Sequence, residues 1–240
     1  MNSANRVASA WALYLAWALY VIVAVVHVVA LAVESPIAGP TKLLLMPFLA
    51  VPVVMTAGST RSRATTALLL FALLFSWLGD GAGTFFPGGP ELPLMLGFFG
   101  VAHLVYIVLF VRVIPSRRQP RWTLVYVCWW IAMLAVVGPH AGGLFVALAM
   151  YGVVLAGTAA TAARSNAVVA IGGALFLVSD SLLAFRIFLP DAAPGWFGPA
   201  VMATYAAGQG LIVFGVLRAR ECGALEKDRF ASTGARGSDR

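Results

Sequence analysis

Six ionisable side chains interrupt the long apolar runs of this 240-residue chain: His27, Lys42, Asp80, His103, Asp180 and Arg186. Ionisable groups at membrane depth are costly, and by default they mark a functional site. Two carboxyls, two histidines and two cations are the residue types of proton handling, either in an acid–base enzyme or in a proton-coupled carrier. Polar neighbours accompany them at helical spacing. Ser76 and Asp80 stand four residues apart, as do Tyr205 and Gln209, and His103 and Tyr106 stand three apart. Each pair therefore shares one face of its helix. Ser179 and Ser181 flank Asp180 directly. Glycines sit beside these groups at 79, 81, 83, 97, 100, 172, 173, 208 and 210, where they let helix backbones approach closely.

The elements that must position these residues follow from composition. The chain is 61% hydrophobic and only 10% charged. A soluble domain carries roughly 25% charged residues, and one of this size could not bury so much apolar side chain. Lipid solvates what a core cannot hold. Inside lipid the backbone must satisfy its own hydrogen bonds, which leaves helices or a closed barrel. Long unbroken apolar runs, without the alternation of barrel strands, select helices. The fold class is thus an all-α polytopic bundle with spans near 11–33, 41–57, 65–83, 92–114, 121–138, 143–161, 166–189 and 196–217. The second and fifth are short. Ala30-Leu31-Ala32 resembles a signal-peptidase site, but the apolar run before it is too long for a signal peptide, so it is expected to stay as the first helix. Residues 1–220 are expected to form the membrane domain, and 221–240 a short polar, disordered cytoplasmic tail.

Fourteen of the sixteen Lys and Arg fall on one side if both termini are cytoplasmic; Lys42 and Arg186 alone fall on the other. That split orients the bundle N-in, C-in, with a bacterial cytoplasmic membrane as the expected location. The net charge of +7 reflects these loop residues, not a nucleic-acid surface. Cys128 and Cys222 are ordinary thiols, and no zinc-protease, nucleophile-elbow, phosphate-loop or dinucleotide motif occurs.

Depth can be read from span ends. Asp80 lies roughly 23 Å and Asp180 roughly 21 Å along helices that run outward, and His103 lies near the midplane of one that runs inward. Lys42, Tyr205 and Gln209 fall in the same outer slab. Shared depth is necessary for a common site. Against this, Asp80 could be a solvated helix end, Asp180 a structural ion pair with Lys42 or Arg186, and His103 an interhelical hydrogen bond. Lys42 and Arg186 could snorkel to headgroups. His27 reads as structural, and His140 as a solvated loop residue.

Taken in order, several stretches resemble the YhhN-like lysoplasmalogenase family of eight-span membrane proteins. They are Thr41-Lys42, Phe75-Ser76-Trp77-Leu78-Gly79-Asp80, Ala102-His103-Leu104-Val105-Tyr106, the run from Gly173 to Ala184 that ends Ser179-Asp180-Ser181-Leu182-Leu183-Ala184, and Thr204-Tyr205 with Gln209. Leu43 and Gly81-Ala82-Gly83 depart from the family pattern, which often has Pro after the lysine and an aliphatic after the aspartate. The resemblance implies hydrolysis of the vinyl ether of lysoplasmalogens to a fatty aldehyde and a glycerophospho-base. That reaction needs a general acid, an anion and a base. Apolar surroundings favour a neutral carboxyl. The deeper Asp180 is therefore the expected acid, Asp80 the anion or base, and His103 a proton relay. Lys42 or Arg186 would hold the lipid phosphate, and Ser76, Tyr106, Ser179, Ser181, Tyr205 and Gln209 would line the substrate site. A membrane lipid is the implied partner, and no metal or organic cofactor is required. Two other classes fit the residues: a proton-coupled transporter of a small amphiphile, and a non-catalytic membrane protein.

Overall fold

A computed structural model describes residues 3–57, 60–114 and 118–237, with the side chains of 3–9, 60–62 and 220–237 excepted. Nine α-helices occur among the described residues: α1 (Ser3–Ala32), α2 (Ala38–Met55), α3 (Thr60–Asp80), α4 (Ala82–Phe85), α5 (Glu91–Val108), α6 (Val125–Val137), α7 (Phe145–Ala162), α8 (Ala167–Phe188) and α9 (Phe197–Gly237). Eight stretches are long and apolar enough to cross a membrane, from Ala10–Ala32 to Phe197–Ala219. They fall within a few residues of the expected spans.

The departures have local causes. The third helix stops at Asp80, short of residue 83. The chain turns at Gly81, where an added Cβ would lie 2.2 Å from the Phe85 ring, and re-forms as α4. α5 continues through a π-turn, Leu109–Val113. The fifth span is composite, with α6 flanked by the 3₁₀ turns Arg121–Leu124 and Gly138–His140. α2 keeps Pro47 and Pro52 inside a continuous helix. α8 begins at Asn166, whose side chain accepts from Val169 N–H at 3.0 Å and satisfies one of the free amides of the first turn. The backbone of α9 is described to Gly237; residues 238–240 lie outside the described residues.

α9 is the most buried span and acts as the central post. It crosses α8 at Gly172 and Gly208. A Cβ on Gly172 would lie 2.9 Å from Gly208 O, and one on Gly208 would lie 3.0 Å from Gly172 O. Two glycines thus bring two backbones into contact, and this registers Phe176 of α8 against Tyr205 of α9, ring centroids 5.4 Å apart, and Ser179 against Val201. Successive spans alternate in direction. The α1–α2, α3–α5, α6–α7 and α8–α9 connections therefore share one end of the bundle, and the start of the first span, Ala10, and the end of the last, Ala219, lie at the other.

Candidate active site

A cavity of about 260 Å³ opens within the half of the bundle away from the termini. Its wall carries His27, Lys42, Asp80, Tyr151, Ser179, Asp180, Arg186 and Tyr205, set among apolar residues such as Phe99, Trp129 and Leu183. All the long helices contribute. α1 and α8 bring their last turns, α2 and α9 their first, and α3 ends on the cavity at Asp80.

Asp80 is held from two sides. Lys42 Nζ stands 3.6 Å from Oδ1, and the Tyr205 hydroxyl donates to Oδ2 at 2.8 Å. Its side chain is 3% exposed, against 12% for Asp180 and 32% for Lys42. Span counting places Asp80 nearer to water than Asp180; the structure makes it the more enclosed of the two. The cause is the turn at Gly81 and the fold-back of α4, which keep the end of α3 inside the bundle.

Asp180 has different company. The Tyr151 hydroxyl donates to its Oδ2 in a short hydrogen bond and also lies 3.3 Å from His103 Nε2. His103 Nε2 is 3.7 Å from the same carboxyl oxygen. The nearest cationic side chain on α8 itself, Arg186, lies toward the mouth with its guanidinium packed on Gly198. The two carboxyls thus line one cavity, Asp80 held by a lysine and a phenol and Asp180 by a phenol.

Other expected site residues are brought together, but off the cavity wall. Gln209 donates to Ser76 Oγ at 2.9 Å and accepts from the Tyr106 hydroxyl at 2.5 Å, and all three side chains are fully buried beneath the Asp80–Tyr205 pair. The i,i+4 pairs on α3 and α9 therefore mate rung by rung, Asp80 with Tyr205 and Ser76 with Gln209. Ser179 lines the cavity but spends its proton on Val201 O at 2.9 Å. Ser181 donates to Leu177 O and accepts from Trp129 Nε1 at 3.0 Å, away from the wall. His103 is fully buried behind Tyr151 and does not reach the cavity.

Tyr151 is the residue that sequence reasoning misses: a lone tyrosine in an apolar span reads as packing. His27 reaches the wall as well. Its Nδ1 pairs with Thr41 Oγ1 at 3.0 Å. Among the described residues no group of three or more His, Cys, Asp or Glu side chains stands close enough to hold a metal ion.

An antiparallel bundle of eight apolar spans, with Asp80 and Asp180 and their partners at one cavity among its helices, defines a polytopic membrane protein with a polar cavity. The chain belongs to the YhhN family, whose model matches residues 37–216. That range takes in every residue of the two carboxyl clusters. No curated protein and no solved structure matches the chain.

Proposed function

We propose that the chain is a membrane-embedded lipid hydrolase that cleaves the vinyl ether of lysoplasmalogens, the activity for which the YhhN family is known. The observation that carries this reading is the pair of aspartates lining one cavity with unlike partners, Lys42 and Tyr205 for Asp80 and Tyr151 for Asp180.

Enol ethers hydrolyse by protonation at the β-carbon. Asp180 supplies that proton; its O–H bond breaks as the new C–H bond forms, leaving an oxocarbenium ion. Asp80, kept as a carboxylate by Lys42, faces the cation and stabilises it. Water entering from the cavity mouth adds to the cationic carbon, and its proton returns to Asp180. The hemiacetal then collapses to aldehyde and free glycerol hydroxyl. Two carboxyls in unlike surroundings divide the work as they do in glycoside hydrolysis. The alkenyl chain lies along the apolar wall, and Arg186 at the mouth binds the phosphate. Beneath the cavity the core is packed by Tyr106, Phe110 and Phe176, all fully buried.

The direct test is incubation of the purified protein with a lysoplasmalogen and with the ester lysophospholipid of the same headgroup. Aldehyde released from the first, and no fatty acid from the second, is the expected result. No aldehyde under conditions where the protein is folded removes the hydrolase reading.

Arg186 provides a quantitative check. A phosphate contact made equally in ground and transition states affects binding alone. Arg186→Gln should raise KM by about 10–100-fold, the worth of a charge-assisted hydrogen bond, with kcat changed by less than about twofold. A fall in kcat at unchanged KM would move Arg186 from the headgroup to the chemistry.

We also propose that both termini are cytoplasmic and that the cavity opens to the opposite face, because Lys42 and Arg186 are the only Lys or Arg expected on that side. Reporter fusions after residue 220 and near residue 89 should report opposite sides. The same side for both would overturn this orientation.

A further inference from the structure

We infer that Tyr151 is the positioning residue of the acid: it holds Asp180 by Oδ2, so the proton delivered to substrate sits on Oδ1, and His103 acts only through it. The inference rests on the hydrolase reading above and deepens it.

A phenol has one proton and two lone pairs. Tyr151 has two polar neighbours, Asp180 Oδ2 in the short contact and His103 Nε2 at 3.3 Å. The proton belongs to the nearer acceptor, so Tyr151 donates to Asp180. Its oxygen then accepts from His103, which places the imidazole proton on Nε2 and leaves Nδ1 bare. Nδ1 is buried and has no hydrogen-bond partner, as this assignment requires. A proton on both nitrogens would instead strand a charged N–H in the core, a far costlier arrangement. His103 cannot swing out to correct it. Its ring packs edge-on against Phe176 at 4.5 Å between centroids, and its side chain is fully enclosed. Nor can it reach a ligand, because Tyr151 stands between it and the cavity.

The consequence for Asp180 is geometric. Oδ2 is occupied, so the acid proton must sit on Oδ1, which has no hydrogen-bond partner among the described residues. When that proton moves to the β-carbon, negative charge develops over both carboxyl oxygens, and the Tyr151 bond to Oδ2 strengthens. His103 polarises the phenol from behind and makes it a better donor. An interaction that strengthens in the transition state raises kcat and leaves ground-state binding unchanged. Tyr151 and His103 keep their own protons throughout; the proton lost by Asp180 is replaced from the attacking water.

Kinetics and infrared spectroscopy test this together. Tyr151→Phe should lower kcat by about 10²-fold, the usual effect of removing one donor from a developing oxyanion, with KM changed by less than about twofold. His103→Leu should lower kcat by about tenfold in the native background and by nothing further in Tyr151→Phe, because its effect passes through the missing hydroxyl. His103→Gln, which keeps an N–H near the Nε2 position, should recover most of the loss. In infrared difference spectra a protonated-carboxyl band that vanishes in Asp180→Asn should shift in Tyr151→Phe.

Full kcat in Tyr151→Phe, additive losses in the double variant, or an Asp180 band absent from the wild type or unmoved in Tyr151→Phe would each overturn the inference. A wild-type protein that releases no aldehyde but shows the shifted band sinks the hydrolase reading and leaves the Tyr151–Asp180 assignment standing.

Discussion

Asp180→Asn should cut aldehyde release by about 10²–10⁴-fold, the usual worth of a positioned acid, in a protein that still folds. The amide has the size and shape of the carboxyl. Its carbonyl oxygen can take the Oδ2 position and accept from Tyr151, so the hydrogen bond that fixes the side chain survives. The NH₂ group then stands where the acid O–H stood, facing the cavity. It can donate a hydrogen bond but cannot give up a proton to carbon. Among the described residues Asp180 makes no ion pair with a lysine or arginine; its contact with a histidine, His103, is at 3.7 Å. Removing its ionisable proton therefore strands no cation, and the folded state should be left largely intact. KM should hold within about twofold, because the change touches the reacting bond and not the headgroup. The measurement is steady-state aldehyde release by detergent-solubilised protein, with elution profile and thermal midpoint recorded alongside. Near-wild-type kcat in a well-folded Asp180→Asn protein would take Asp180 out of the chemistry and pass the role of acid to Asp80.

The architecture was legible in the sequence because the physics of a span is local. Twenty apolar residues satisfy their own backbone hydrogen bonds whatever they pack against. The site was legible as a set of costs: each of Lys42, Asp80, Asp180, Arg186 and Tyr205 is expensive in lipid, and the structure places all five on one cavity. Helical spacing also put Ser76 with Asp80 on one face of α3 and Tyr205 with Gln209 on one face of α9, but it did not pair the two helices. It could not say which rung faces the cavity. Ser76 shares a face with Asp80, yet one turn deeper the same face meets Gln209 in the closed core.

What one helix cannot encode about itself was not legible. Asp80 looks peripheral when residues are counted from the start of its span, because the burial comes from α4 folding back after Gly81. His103 carries the chemistry of a relay, but its direction depends on how α5 is rotated against α7 and α8. That rotation puts Tyr151 between the imidazole and the cavity. Tyr151 itself gave no signal, since a phenol in an apolar span becomes polar machinery only when another helix brings a carboxyl to it.

The Lys42–Asp80 pair carries the second large expectation, and it separates stability from chemistry. Asp80 is nearly closed off from solvent, so its charge depends on Lys42 and the Tyr205 hydroxyl. Lys42→Met keeps the aliphatic stem and deletes the cation. Removing one partner of a buried pair costs about 3–5 kcal/mol, because the remaining charge is left uncompensated. Lys42 is about a third exposed, so water reaches the gap and the effect should fall near the lower end, about 3 kcal/mol, or a fall of about 6–12 °C in thermal midpoint for a chain of this length. Adding Asp80→Asn removes the stranded charge, and the double variant should recover most of that midpoint. Turnover should not recover with it. With no carboxylate facing the oxocarbenium ion, kcat of the double variant should stay at least about 10²-fold below wild type. Thermal unfolding and aldehyde release on the same three preparations distinguish the cases. An unchanged midpoint and normal turnover in Lys42→Met would show that Asp80 needs no cation. Restored turnover in the double variant would show that the anion opposite Asp180 plays no part in the reaction.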